Sequence, residues 1–417
     1  MGLGAATVSR PGLAPESLIR GCLWLYVLLL PMADWLAPSG WLPLTNIPLL
    51  AATGLLSLVP ALRLRLGWRD FAVLMLAALA ILSTAANFAL VTQRSVNHLS
   101  AVLFVTLLNY FVGGRVALHV LKDSWKLPLL LGFVFSCLLC VFEFVLVNGF
   151  GHPLPGYRPS TADYDSTFVF GVRPRSTFSE SGHFAFYLAC VAPVLIAAYR
   201  GKNRPGIVRL VIFLLLLCAT LLFSTSLFLV LWLWLLMYIV LNRVYARWWG
   251  VLLLVVFLLL VVTAGSVLYD LADVLVFEKF RLYSYEDRQE KFATMVDLLA
   301  GSTPLQLMFG HGMGSFEALG VPNSISAYTN FALDLGLVGA LLFLLILMPP
   351  ELITRATHDV WKRTWIYLSA GLIFFFLAVP NYFFAHFTFV LALMSSASAG
   401  ELFVQRSDGP DALAATA

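Results

Sequence analysis

Long apolar runs separated by short polar connections dominate the sequence. A helix needs about 20 apolar residues to cross a hydrocarbon core about 30 Å thick, and the chain provides runs of this kind repeatedly. We predict twelve membrane-spanning helices, over residues 18–36, 42–62, 71–90, 98–118, 127–148, 181–199, 207–223, 226–241, 249–269, 326–348, 365–379 and 382–403. The pattern therefore predicts an all-α, polytopic integral membrane helix bundle that forms a single membrane domain over residues 1–417.

The apolar stretch from residue 207 to residue 241 is too long for one span. We place a tight turn within it at Ser224, Thr225 and Ser226, three consecutive polar residues. The division of residues 207–241 into two spans rests on this turn.

The composition agrees with a membrane protein. Hydrophobic residues make up 60% of the chain and charged residues 12%, which is more apolar surface than one soluble core could bury. Membrane lipids are therefore the surroundings of most of the chain. The formal net charge is only +4, and we expect no nucleic-acid partner.

Lys and Arg residues are distributed unevenly between the two sides of the predicted bundle. With the N-terminus inside, the cytoplasmic segments hold 18 of the 26 Lys and Arg residues. The eight on the opposite side are Arg94, Arg158, Arg173, Arg175, Lys279, Arg281, Arg288 and Lys291. Because segments rich in Lys and Arg stay in the cytoplasm, we expect both termini to be cytoplasmic.

Two connections on the outer side are much longer than the others. They cover residues 149–180 and 270–325, and seven of the eight outer positive charges lie in them. Long loops on a rigid helical frame are where binding and catalytic residues concentrate. We therefore expect the functional chemistry in these two loops.

The first long loop ends in a polar, arginine-bearing segment directly before an apolar helix. Ser179 or Ser181 can cap this helix, and Glu180 lies favourably at its positive end. Arg173 and Arg175 precede it, at the membrane surface, and arginine is well suited to forked hydrogen bonding with a diphosphate. The alternative is that both arginines extend to anionic lipid headgroups.

The second long loop opens with a charged and aromatic segment, residues 278–291, which includes Arg281 and Arg288. A helix-like apolar stretch and a glycine cluster at residues 309–316 follow. The opening segment fits two structures equally well, an amphipathic helix along the membrane interface or a ligand-binding segment. The glycine cluster permits a tight turn near the membrane.

These elements, in this order, resemble the O-antigen ligase and O-antigen (exopolysaccharide) polymerase superfamily. The resemblance rests on the segment 173–183, on Arg288, on the turn 310–314 and on the helix that carries Asn330 to Gly339, and it covers roughly residues 171–348. The resemblance rests on the order and topology of these motifs together.

The resemblance implies a glycosyltransferase of the bacterial inner membrane. Such an enzyme takes a glycan from an undecaprenyl-diphosphate carrier on the periplasmic face and joins it to an acceptor hydroxyl. No metal and no other cofactor are implied, because Arg173 or Arg175 and Arg281 or Arg288 would bind the diphosphate. The resemblance leaves open whether a chain-length regulator or a flippase binds the protein, and which sugar, linkage and acceptor it uses.

The chain departs from the ligase pattern at one position. Ligases of the superfamily have a His immediately before the Asn that opens the late helix, whereas this chain has Thr329 before Asn330. This difference favours a polymerase of repeat units over a ligase that transfers glycan to lipid A core. Three other residues are candidates for the base, namely Glu180, His183 and His311. Each also has a structural alternative: Glu180 can cap the helix, His183 can pack within the bundle, and His311 can be a turn residue.

A polysaccharide-related transporter is the main alternative from another class. Transporters often have ionisable groups inside the membrane, discontinuous helices and repeated halves. Asp34, Glu143 and Asp334 lie within or beside apolar runs, but the sequence shows no internal repeat.

Overall fold

The structure is a computed structural model. It describes residues 15–32, 44–57, 64–151, 172–200, 202–222, 224–241, 284–316, 318–320, 326–352, 359–377 and 384–398. Within these ranges the regular structure is helical throughout, without strands. The predicted all-α fold class is confirmed at this level.

Fourteen α-helices are numbered here in chain order over the described ranges. They are α1 (Pro15–Leu28), α2 (Asn46–Leu56), α3 (Trp68–Ala86), α4 (Gln93–Ser100), α5 (Ala117–Leu121), α6 (Lys126–Phe150), α7 (Ser181–Arg200), α8 (Pro205–Leu222), α9 (Thr225–Leu241), α10 (Ser284–Ala300), α11 (Pro304–Phe309), α12 (Ala327–Leu347), α13 (Asp359–Phe375) and α14 (Ala385–Ser398). Two wider π-helical segments, Ala101–Thr106 and Leu108–Val116, join α4 to α5.

Five helical stretches are long and apolar enough to cross a membrane. They are Trp68–Ala86, Gln93–Phe150, Ser181–Arg200, Pro205–Leu222 and Ala327–Leu347. A backbone in hydrocarbon must satisfy its own hydrogen bonds, and an α-helix does so within one segment. The chain is thus a helical membrane protein.

The number of twelve spans stays a prediction. Helices α1 and α2 have 14 and 11 residues and cover only part of the first two predicted spans. The predicted span 249–269 lies outside the described residues. So do residues 152–171, which make up most of the first long loop. The helix break predicted at Ser224 is present, because α8 ends at Leu222 and α9 begins at Thr225.

Small residues allow close helix packing in the centre of the bundle. Helix α14 packs against the π-helical segment Leu108–Val116, where a side chain on Gly114 would overlap the Cβ atom of Ala392. In lipid the hydrophobic effect does not drive helices together, so close packing and buried hydrogen bonds hold them instead. One such bond joins the Tyr26 hydroxyl to Asn109 Oδ1, at 2.9 Å.

A buried ion pair holds the predicted cytoplasmic end of the bundle. Arg115 Nε lies 3.2 Å from Asp70 Oδ1, and both side chains are fully buried. The same Asp70 oxygen accepts hydrogen bonds from the hydroxyls of Tyr110, at 2.7 Å, and Ser395, at 2.8 Å. Three helical segments, α3, Leu108–Val116 and α14, therefore meet at one carboxylate, and the candidate site lies toward the other end.

Candidate functional site

A carboxylate on α6 holds the arginine-bearing segment before α7. Glu143 Oε2 accepts hydrogen bonds from the backbone N–H groups of Arg175 and Ser176, both at 2.7 Å. Glu143 is 1% exposed, so these two charge-assisted bonds form away from water. They fix the backbone of the segment inside the bundle.

The turn that follows is inserted between α6 and the end of the first helix. Ser176 has φ of +56°, an uncommon left-handed conformation for a residue other than glycine. Its hydroxyl donates to the carbonyl of Ser136, at 2.6 Å, and the Thr177 hydroxyl donates to the carbonyl of Pro31. Phe178 is 1% exposed and completes a buried anchor for this turn.

The protein covers both arginines of this segment, Arg175 more completely than Arg173. Arg175 is 7% exposed and its guanidinium donates to the carbonyl of Ser179, at 3.3 Å. Arg173 is partly buried, and desolvation lowers the pKa of its guanidinium from the ordinary value. Val172, the residue before Arg173, is fixed by two hydrogen bonds between its backbone and the Asn148 side chain, of 2.6 and 2.9 Å.

Two of the candidate bases, Glu180 and His183, lie at the start of α7. Ser179 Oγ lies 2.9 Å from His183 Nδ1, and Glu180 Oε2 lies 3.9 Å from His183 Nε2. The ring of His183 packs edge-on against Phe384, with centroids 4.8 Å apart. The Glu180 side chain is 53% exposed and that of His183 14%, so both remain accessible.

The glycine cluster packs into a break in α12. Gly336, inside this helix, has φ of +69° and ψ of −169°, which are not helical values. Gly310 has φ of +79°, and a side chain there would overlap the carbonyl group of Asp334. Two glycines are required at this crossing because each has positive φ and each backbone approaches the other segment closely.

His311 is part of this crossing. Its backbone N–H donates to the carbonyl of Leu333, at 2.9 Å, and its Nδ1 lies 3.3 Å from the same oxygen. A carbonyl oxygen only accepts, so Nδ1 carries the proton in that contact. Nε2 lies 3.2 Å from Ser302 Oγ, and the residue is 5% exposed. These contacts join the turn to α12 and to the connection between α10 and α11.

Asp334 and its neighbours form a second buried polar cluster beside the turn. The side chain of Asp334 is held by the backbone N–H groups of Gly314 and Ser315 and interacts electrostatically with Arg94. Arg94 lies over the ring of Phe316, with 4.4 Å from Cζ to the ring centroid. The carbonyl of Asp334, freed by the helix break, accepts from the Ser83 hydroxyl at 3.0 Å.

Thr329, which stands where ligases have a His, has a structural role at the start of α12. Its hydroxyl accepts from the backbone N–H of Ser326, at 3.1 Å, and the Ser326 hydroxyl accepts from the backbone N–H of Thr329, at 3.2 Å. This reciprocal pair is a capping box, which satisfies two donors at the helix start. Thr329 caps the helix, and the position supplies no base.

The structure divides the predicted residues between two clusters. Arg173, Arg175, Glu180 and His183 lie together before and within the first turn of α7, whereas His311 belongs to the turn against α12. Helices α7 and α12 are connected through aromatic packing, because Phe376 contacts both Phe186 of α7, at 5.0 Å, and Phe343 of α12, at 5.0 Å. Arg281 lies outside the described residues, and only the backbone of Arg288, in α10, is described.

Two contributors were not recognised from the sequence. Glu143 was considered only as an ionisable group within an apolar run, although it holds the arginine segment. Arg94 was counted among the outer positive charges without a role. The signal for Glu143 was present, since a lone carboxylate in an apolar helix needs buried donors.

No family model matches the sequence, and no curated protein matches it significantly. Among the described residues, no three His, Cys, Asp or Glu side chains lie close enough together to hold a metal ion. The candidate site comprises the arginines, the carboxylate and the imidazole at the start of α7.

Proposed function

We propose that the protein is a membrane glycosyltransferase that joins undecaprenyl-diphosphate-linked oligosaccharide repeat units on the periplasmic face of the bacterial inner membrane. The acceptor hydroxyl oxygen forms a bond to the anomeric carbon of the donor sugar. The bond from that carbon to the diphosphate oxygen breaks, and undecaprenyl diphosphate leaves with the electron pair. A base on the protein takes the hydroxyl proton.

The observation that carries the proposal is the arginine segment held directly before α7. Hydrogen bonds from Arg175 and Ser176 to Glu143 fix its backbone, and Arg173 and Arg175 bring two positive charges to the start of the helix. A helix start offers free N–H donors, and arginine offers a fork that matches phosphate oxygens. Fixed donors of this kind stabilise a diphosphate leaving group without reorganisation.

His183 and Glu180 are the best base candidates because both side chains are accessible beside the arginines. When His183 donates from Nδ1 to Ser179 Oγ, Nε2 keeps its lone pair and can take a proton. Ser179 then acts as a positioning residue. His311 is 5% exposed and both of its ring nitrogens have protein neighbours, which favours a structural role for it.

The test is to purify the full chain in detergent and supply undecaprenyl-diphosphate-linked repeat units from its host, without metal or nucleotide. We expect a ladder of lipid-linked products of increasing length on a gel. Transfer that occurs only after lipid A core is added would instead identify a ligase. If neither product forms and the substrate still binds, the enzymatic proposal is wrong.

Transport is the second candidate, and the break in α12 favours it. Discontinuous helices with freed backbone groups and a buried carboxylate line the substrate sites of many transporters. Gly336 interrupts α12 two residues after Asp334, whose side chain is 2% exposed. Reconstitution into liposomes distinguishes the two functions, because a transporter moves the lipid-linked glycan between leaflets without lengthening it.

A further inference from the structure

A large groove opens in the side of the bundle at the opposite end of α7 from His183. Its volume is about 590 Å³, and helices α7, α8, α9 and α13 line it. Its surface is mainly apolar, with Ile196, Ile212, Leu216 and Leu235 among its side chains. Three of these, Ile212, Leu216 and Leu235, are at least 40% exposed. The groove thus faces the surroundings of the bundle.

The length of the groove matches part of one leaflet. Along α7 it runs from Pro193 to Arg200, which is about 10 Å at the rise of an α-helix. One leaflet of the hydrocarbon core is about 15 Å thick. The groove therefore covers much of the length of an acyl chain that enters from its polar end, and the chain does not cross the midplane of the bilayer.

The back wall of the groove is formed where α9 packs against α13. Trp234 Nε1 donates to the carbonyl of Tyr367, at 2.7 Å, and this joins α9 to α13. The indole packs closely on Gly371, where an added Cβ would lie 2.9 Å from Nε1. The hydrogen-bonded indole of Trp234 therefore closes the wall between these two helices.

The polar end of the groove is positively charged. Arg200, the last residue of α7, and Arg363, in α13, both line it, and both are exposed. Tyr238 and Tyr367 lie beside them, as is usual where a membrane meets water. None of the described residues that line the groove is acidic. A negatively charged group is therefore the complementary occupant of this end.

We propose that this groove binds a phospholipid with an anionic headgroup. The phosphate lies between Arg200 and Arg363, and one acyl chain lies along the apolar walls. On the orientation that the charge distribution predicts, the lipid comes from the cytoplasmic leaflet, whose anionic lipids attract basic segments. The site does not depend on the proposed glycosyl transfer, since it lies at the other end of α7.

The test is native mass spectrometry of the full-length protein with equal amounts of dioleoyl phosphatidylglycerol and dioleoyl phosphatidylcholine. We expect the wild-type protein to retain phosphatidylglycerol preferentially. Arg200→Gln and Arg363→Gln should each lower this preference about fivefold, the effect of one basic residue near a membrane surface. Arg209→Gln is the matched control, because Arg209 lies exposed on α8 without lining the groove.

A second pair of variants tests the apolar part of the site. Leu216 and Phe213 are both exposed on α8, at 53% and 60%, but only Leu216 lines the groove. Leu216→Trp should reduce retention of phosphatidylglycerol, and Phe213→Trp should leave it unchanged. Equal retention of the two lipids by the wild-type protein would overturn the proposal. So would arginine and Leu216 variants that bind like the wild type.

Discussion

Glu143 Oε2 accepts a hydrogen bond of 2.7 Å from the backbone N–H of Ser176, 33 residues further along the chain. The bond connects the last third of α6 to a residue with a left-handed backbone at the edge of the candidate site. A carboxylate inside the bundle is costly, and the two buried N–H groups beside it would be equally costly alone. Each therefore stabilises the other, and the pair determines where the arginines lie.

Glu143→Ala should destabilise the protein strongly. Removal of the acceptor leaves the N–H groups of Arg175 and Ser176 buried without this partner, at about 1–3 kcal/mol for each group. Glu143→Gln should cost less, because its amide oxygen can still accept both bonds. The measurement is the midpoint of thermal unfolding in detergent. Glu180→Ala is the control, since an exposed carboxylate should leave the midpoint unchanged, and equal midpoints for all three variants would contradict the prediction.

The crossing between the glycine turn and α12 should tolerate no side chain. Gly310→Ala and Gly336→Ala each combine a positive φ with overlap of the facing backbone, so we expect loss of folded, monodisperse protein on size-exclusion chromatography. Gly301→Ala is the matched control. There an added Cβ would lie 3.5 Å from the nearest atom, an ordinary contact distance. Normal elution of the Gly310 and Gly336 variants would show that the break in α12 is not required.

The helical class, the break at Ser224 and the cluster at the start of α7 were accessible from the sequence. Apolar runs and the polar residues between them indicate local structure. The cluster at the start of α7 was accessible for the same reason, because the segment 172–183 is continuous in the chain. The ties between distant segments were not accessible, as in Glu143 to Ser176 or Gly310 to Asp334. Periodicity shows that a carboxylate or a glycine lies in an apolar helix, but its partner depends on how the helices pack.

The burial of Arg175 shows the same limit. Its position in a loop before an apolar helix does not indicate that other parts of the protein cover it. The turn at Ser176 and Thr177 instead enters the bundle, drawn in by acceptors on α6 and at Pro31. The identity of the loop residues indicated an anion site, whereas the burial of the turn is set by acceptors elsewhere in the chain.

The buried ion pair Asp70–Arg115 should couple strongly in a double-mutant cycle. Asp70→Asn alone leaves the Arg115 charge buried, which costs about 3–5 kcal/mol. The double variant with Arg115→Gln should lose much less than the sum of the single variants. The pair Asp123–Lys126, at 2.7 Å with Asp123 69% exposed, is the control and should couple by at most about 1 kcal/mol. Additive losses for the buried pair, measured by thermal unfolding, would refute this prediction.

The four arginines of the two long loops should each be needed for glycan output. Arg173→Ala, Arg175→Ala, Arg281→Ala and Arg288→Ala each remove charge-assisted bonds to the diphosphate, so we expect the ladder to weaken about tenfold or more. Arg173→Lys should retain part of the activity, because it keeps the charge and loses the fork. Unchanged output from all four, with normal membrane insertion, would exclude a diphosphate site at these residues.

His183 and His311 should respond differently to the same substitution. If His183 is the base, His183→Gln lowers polymer formation about 100-fold or more, since general base catalysis contributes 10²–10⁴. Its unfolding midpoint should stay close to that of the wild type, because its side chain is at the accessible start of α7.

His311→Gln should instead lower the unfolding midpoint, and its activity should fall only as far as folded protein is lost. The reason is that His311 joins the glycine turn to Ser302 and Leu333 from a buried position. Activity per folded molecule therefore separates a base from a structural residue. If His311→Gln abolishes polymer formation at an unchanged midpoint while His183→Gln remains active, the base lies at the glycine turn, and the donor diphosphate binds nearer to Arg94 than to Arg173.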